Sequence, residues 1–595
     1  MKKKYILTGC LIVCMSCLIT ACKDYLNVDK YFRDLQSEDR IFAQKDYTNQ
    51  WLAFCFETLC GDNLDIGTRR VNISNFCDDM IFNEGKNGLY FSRYKLGEYQ
   101  YISDDEYNYS HSWAASYDGI RQASILIHNI HKNQEMKEDE KTDIKGQARF
   151  ARAYLYWLLL RKYGPVPILP DEGADYTLSY EELSFPRNTY DECVELIASE
   201  MIQAAKELKA DRSPSEIVRP TKGAALAARA KALLFAASPL ANGNTEMADF
   251  TDKTGHHLIS QEYDEGKWAR AAAAALDVIN LDKYELYVSY ETTGTDLAYP
   301  ATITPPYNSL YSDKSYPDGW ADIDPLESYR SIFNGDVMLA ENPEMIFSLG
   351  KNSKDFAGIG IQAISGLVKN QLPNTIGGTN SHGVTQKQCD AYAMADGSPF
   401  DRHIAPKGFT TKENVDEHLY DNLQPGVWME YASREPRFYA SVAPSGTVWP
   451  CTSAAQVKSR YVQLWYYRGE SDGRLNATEN WIPTGIGVMK FVNPADCNYD
   501  SGIINHRTVL TIRYADILLM YAEALNELTG SHQIPSWDGS TTYSVSREID
   551  ELRKGIKPVR MRAGIPDYDG ATYADQDQFR KKINRYRRLE RTNLN

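Results

Sequence analysis

The 595-residue chain contains no CxxC pair and no HExxH, P-loop or GxSxG signature, and it has no surplus of positive charge. Four of its 11 cysteines, Cys10, Cys14, Cys17 and Cys22, crowd the N-terminus, leaving Cys55, Cys60, Cys77, Cys193, Cys389, Cys451 and Cys497 scattered and odd in number. That spacing argues against a disulfide framework or a zinc site, and small buried apolar residues are the better reading for most of them. A formal net charge of -15 disfavours nucleic acid as a partner. Beyond the N-terminus no run approaches the roughly 20 apolar residues that a membrane-spanning helix needs. Gly358 to Ala363, GIGIQA, nominally fits a dinucleotide fingerprint but lacks its strand, turn and helix context. His128 and His131 have no nearby third ligand, and Asp104-Asp105-Glu106 does not match a calcium loop. The sequence therefore calls for no catalytic residue, no metal and no cofactor.

What is present begins at the N-terminus. Lys2, Lys3 and Lys4 precede an apolar stretch from about Tyr5 to Ile19, and the small residues Thr20 and Ala21 precede Cys22. A positive start, an apolar core and small residues before a cut make a secretion signal. Ile19-Thr20-Ala21-Cys22 resembles a bacterial lipobox, which implies that Cys22 becomes the acylated first residue of the mature chain. Each buried CH2 of an acyl chain contributes about 0.8 kcal/mol, so two or three chains anchor the protein without spanning the bilayer.

Tyrosine is the compositional excess, with 40 residues beside 10 Trp. Part of it packs helix interfaces; the rest offers rigid rings with a polar edge for a binding surface. Helices are legible by period. Lys145 to Tyr163 is apolar around nearly its whole circumference and stops at Gly164-Pro165. Thr189 to Glu192 fits a capping box, opening an amphipathic helix through Val194, Ile197, Met201 and Leu208. Thr221 caps an alanine-rich helix that Pro239 limits; Trp268 to Ile279, Arg513 to Leu528 and Trp113 to Ile130 complete the set. Trp113 and Trp157 lie on helices and are expected in the core. Hairpins with small residues at their crossings predict an all-α fold of tetratricopeptide-like stacking, without a clean repeat of about 34 residues. Between Tyr284 and Glu341, and again from about Gly350 to Pro450, the pattern gives way to long irregular loops of the kind that carry function.

GQARFARAYLYWLLLRKYGPVPILP (Gly146 to Pro170) resembles the helix and exit turn of SusD/RagB-type lipoproteins. RPTKGAALAARAKALLFAASPLAN (Arg219 to Asn242), NPEMIFSL (Asn342 to Leu349) and DAYAMADGSPFD (Asp390 to Asp401) extend the resemblance. REPRFYASV (Arg434 to Val442), IRYADILLMYAEALNEL (Ile512 to Leu528) and RAGIP (Arg562 to Pro566) continue it in order. Lys23-Asp24 after the cysteine looks like a surface-export signal. Members of this family usually continue past a motif such as RYRRLERTNLN (Arg585 to Asn595) with a further aromatic, Arg-rich segment, so the C-terminal region is expected to be truncated.

The resemblance implies about four tetratricopeptide-like helix pairs with long irregular ligand-binding loops and minor β-hairpins. It divides the chain into a signal peptide (1–21), an N-terminal region with the first helix pairs (22–240), a further pair with an aromatic loop insert (241–340) and a C-terminal region (341–595). The function implied is capture of oligo- or polysaccharide at the outer-membrane surface and delivery to a SusC-like TonB-dependent transporter. A surface glycoside hydrolase and a protein-interaction scaffold without a small ligand stay open as alternatives. Sugars present C–H faces to aromatic rings and hydroxyls to polar groups, and such binding moves no proton. Two loops have the right residues. Asn83 to Tyr101 carries Tyr90, Arg93 and Tyr94; Pro305 to Tyr329 carries Tyr307, Tyr311, Tyr316, Trp320 and Asp322.

Overall fold

The computed structural model describes residues 38–61, 77–83, 97, 111–173, 177–290, 299, 300, 302–348, 362–417, 420, 422–477, 479–505, 507 and 510–591. Cys22, Tyr90, Arg93 and Tyr94 lie outside the described residues, as do Asp104 to Glu106 and Gly358 to Gly360.

Eight helices pack each on the next in chain order: α1 (Lys45–Gly61), α2 (His111–Asn129), α3 (Glu138–Tyr163), α4 (Tyr190–Glu207), α5 (Lys222–Ala237), α6 (Glu265–Ile279), α7 (Tyr514–Asn526) and α8 (Ile549–Arg562). They form four successive pairs, so the expected tetratricopeptide-like stack is present. Local chemistry sets the ends. Thr189 Oγ1 accepts the Glu192 N–H at 3.1 Å while Glu192 Oε2 accepts the Thr189 N–H at 2.8 Å, the reciprocal box read from the sequence. Thr221 caps α5 through the Ala224 N–H at 3.2 Å. Gly164, with φ 68°, closes α3 through its N–H to Leu160 O at 2.9 Å. α3 is buried on nearly all sides from Ile144 to Leu160, and Trp157 lies in the core while Trp113 is half-buried against Tyr163. Gly146 explains how closely α3 meets the end of α4: a Cβ there would sit 2.9 Å from the Glu207 Cβ.

The fourth pair comes from far downstream. Between α6 and α7 the chain leaves the stack and builds a second core around Tyr329, Phe333, Tyr392, Phe438, Trp449 and Phe491. Strands are short and two-stranded. Met345–Phe347 with Ile512–Arg513 joins this inserted layer to the stack, and Val442–Pro444 with Ile486–Val488 braces it internally. Val448–Trp449 with Val462–Gln463 and His532–Pro535 with Thr542–Val545 are further antiparallel pairs.

Where stack and insert meet, charge is buried. α9 (Gln576–Arg591) delivers Glu590, whose carboxylate meets Arg437 Nη1 at 2.9 Å, Arg562 Nη2 at 3.0 Å and Arg513 Nη2 at 3.3 Å. Glu344 takes Arg513 at 2.5 Å and Arg562 at 2.6 Å, and Glu435 takes Arg437 at 2.6 Å. Three guanidiniums thus balance three carboxylates, all fully buried, and that pairing is what makes buried charge tolerable. No helix of the described residues is long and apolar enough to cross a membrane.

Candidate functional site

The insert displays two groups of rings. The first is the loop from Pro305 to Asp324, tied down by its own backbone. Trp320 N–H donates to Tyr311 O at 3.3 Å, Ala321 N–H to Lys314 O at 2.9 Å, and Asp322 Oδ1 accepts the Tyr316 N–H at 2.8 Å. Gly319 is required at the crossing, because a Cβ would come within 2.0 Å of Tyr311 O. Asp318 fastens the loop to α8 through Lys557 at 2.8 Å.

This loop brings together Tyr311, Tyr316, Trp320 and Asp322, with different roles for each. Trp320 is only 6% exposed and backs the Tyr311 ring at 5.6 Å, so its own face is covered. Tyr316 is half-buried against the helical core, and burial pushes its hydroxyl above the ordinary value. Asp322 holds backbone rather than facing outward. Tyr307 is 72% exposed; its Oη donates to Asp313 Oδ2 at 2.8 Å, which raises its pKa and keeps it a neutral donor.

The second group did not stand out in the sequence. Trp465 and Tyr467 stack at 6.0 Å with planes 28° apart, and Phe409 meets Tyr467 at 5.8 Å and Trp428 at 5.0 Å. Phe409 is 51% and Tyr467 38% exposed. The outer edge of the Trp465 six-membered ring packs close to Gly426 and Gly446, where Cβ atoms would come within 2.9 and 2.7 Å of it, and both glycines have positive φ. Three ring-bearing loops thus converge; Phe409 and Trp428 fall in the irregular stretch from about Gly350 to Pro450, Trp465 and Tyr467 lie beyond it, and the sequence singled out none of the four. Lys407, Arg468 and Glu470 are exposed beside these rings in the chain. A cleft of 30 Å³ lined by Tyr299, Asn422, Gln424, Val427, Gly446 and Thr447 adjoins them, with room for a water or two. A larger concavity of 660 Å³ is lined by Lys387, Asp390, Ala391, Asn584, Arg585 and Arg588, without an aromatic ring.

His128 is occupied otherwise: its Nδ1 lies 2.9 Å from Ser124 O and its Nε2 3.2 Å from Asp171. Cys77, Asp78 and Asp79 cluster, but Lys387 already faces Asp78 and Arg588 faces Asp79.

Helix pairs stacked in series, with a long insert that displays rings on its loops, define a tetratricopeptide-like helical protein with an aromatic loop layer. Residues 343–591 match the family described as "SusD family", and residues 66–234 match the one described as "Starch-binding associating with outer membrane". The chain belongs to the SusD family. Among solved structures, the protein designated BT4246 is 22% identical, covering 92% of this chain and 87% of its own, with a TM-score of 0.70. A SusD-like protein from Bacteroides fragilis is 20% identical over 95% of this chain and 86% of its own, with a TM-score of 0.62. A SusD-like carbohydrate binding protein from the same organism is 16% identical over 93% and 85%, with a TM-score of 0.59. These likenesses establish the fold. No curated protein matches the sequence.

Proposed function

We propose that this chain is a non-enzymatic, lipid-anchored protein of the outer-membrane surface that captures oligosaccharide and passes it to a SusC-like TonB-dependent transporter. The observation that carries the reading is the ring cluster in which Phe409 and Tyr467 are exposed and the half-buried Trp465 and Trp428 back them. Exposed rings fixed by their neighbours, here Phe409 and Tyr467 against Trp428 and Trp465, offer a rigid face to sugar C–H groups at little entropic cost. Family membership supports the ligand class, and a relative of the same fold is described as carbohydrate binding. Tyr307 and Tyr311, backed by Trp320, form a second ring surface of the same character, with Tyr316 and Asp322 holding its loop. Tyr90, Arg93 and Tyr94 belong to the proposed ligand loops as well.

A calorimetric screen of neutral oligosaccharides against the chain lacking residues 1–21 tests this. Anchor residues of an interface cost more than about 1 kcal/mol when truncated, several-fold to tenfold in affinity. Trp465→Ala and Tyr467→Ala are expected to lose at least that much with the fold intact by circular dichroism. Unchanged affinity in both, or no binding of any saccharide by the parent chain, would refute the platform. Release of reducing ends from a bound glycan would refute the non-enzymatic reading.

A further inference from the structure

Two of the scattered cysteines meet in the folded insert. Cys451 follows the short strand Val448–Trp449, and Cys497 lies on the loop after the strand Ile486–Val488. The two segments run against each other: Thr452 N–H donates to Pro494 O at 3.1 Å, Ala455 N–H to Asp500 O at 2.9 Å, and Ile503 N–H to Ser453 Oγ at 3.0 Å. Asp500 is fastened further by the Gln456 N–H at 2.9 Å and Gln456 Nε2 at 3.1 Å. Both sulfurs are buried, at 1% and 0% exposure. The two thiols are close enough to influence each other's ionisation, and Cys497 Sγ donates to Tyr499 O at 3.1 Å.

We infer that Cys451 and Cys497 are a dithiol that closes to a disulfide in the mature protein. The crossing places both buried side chains in one apolar cluster, between segments already tied together through their backbones. A leader that exports the chain takes it to a compartment where disulfides persist. The oxidant is an exchangeable disulfide, either a protein's or a small molecule's. The thiolate of one cysteine attacks it and expels one thiolate. The second cysteine then displaces the other. Two thiols of the chain lose two protons and two electrons, and one disulfide of the oxidant becomes two thiols. Burial pushes both thiols above their ordinary pKa, so closure takes place as the insert folds, while they still see water. The bond ties residues 451 to 497 into a loop whose unfolded entropy it reduces.

The test uses the purified mature chain folded in a reduced and oxidised glutathione mixture, so it does not depend on glycan binding or on cellular location. Free thiols are alkylated in denaturant, and peptides are mapped by mass before and after reduction. A linked pair of peptides containing Cys451 and Cys497 is expected. Adding reductant is expected to lower the thermal midpoint by a few degrees in the parent chain, but not in the Cys451→Ala/Cys497→Ala variant. Full alkylation of both cysteines, linkage of either to a different cysteine, or a midpoint indifferent to reductant would each overturn the inference.

Discussion

At the scale of single residues, Glu590 has the largest consequence. Burial alone would raise its carboxyl, but Arg562, Arg437 and Arg513 outweigh that and hold it at about 2, below the ordinary 4.5. A carboxyl with a depressed folded pKa binds its proton more weakly in the native state than in the unfolded one. Its contribution to stability is therefore fully present above about 4.5 and drains away as pH falls toward 2. Denaturant midpoints measured across that interval should fall steeply for the parent chain and less steeply for Glu590→Gln. At neutral pH the variant leaves three guanidiniums short of a counter-charge, a loss of about 3–5 kcal/mol for a broken buried pair. A Glu590→Gln midpoint equal to that of the parent at pH 7 would show that the cluster is not paired as described. The motif around Glu590 was noticed in the sequence only as a resemblance. That Glu590 shares its arginines with Glu344, 246 positions earlier in the chain, depends on the fold.

At the scale of elements, helix ends were the most legible feature because caps are local. The hydroxyl of Thr189 and the carboxylate of Glu192 are three residues apart and satisfy each other's backbone whatever surrounds them. Thr189→Ala should cost about 1 kcal/mol, read as a lower unfolding midpoint with unchanged glycan affinity. A variant as stable as the parent would mean that the box is idle. Helix α2 begins at His111, two residues before the expected Trp113, and α7 begins at Tyr514 with Arg513 as its cap. Such shifts of a residue or two reflect ends that sequence periodicity does not specify. The ring-bearing elements were harder to read. Trp320 was expected among the ligand-contacting rings of its loop on residue type alone. The loop folds back through Gly319 and turns the indole inward onto Tyr311. Irregular loops have no period from which facing can be read, so aromatic content predicts a ring surface without saying which ring is outside.

At the scale of the whole molecule, the stack and the insert divide the work. Six helices in sequence begin the stack, the chain leaves it to build the second core, and α7 and α8 return to complete the fourth pair. The long return is closed by the Met345–Phe347 and Ile512–Arg513 ladder and by the buried charge cluster, so the ring-bearing layer is held against a helical frame. The lipid anchor proposed at Cys22 makes a prediction about location. Cys22→Ser should abolish labelling by radioactive palmitate and move the protein from the outer-membrane fraction to the soluble one. Persistence of the label, or of membrane association without it, would contradict an acylated Cys22.

By itself the amino-acid order determined the helical class, the caps and the family. Each of these is written in neighbouring residues, through period, capping chemistry or an ordered set of motifs. Only the tertiary structure decided which rings stand outside, which arginines share Glu590, and that Cys451 lies beside Cys497. Those pairings join positions tens to hundreds of residues apart. They are set by how the inserted layer closes on the stack, and no local pattern encodes that closure.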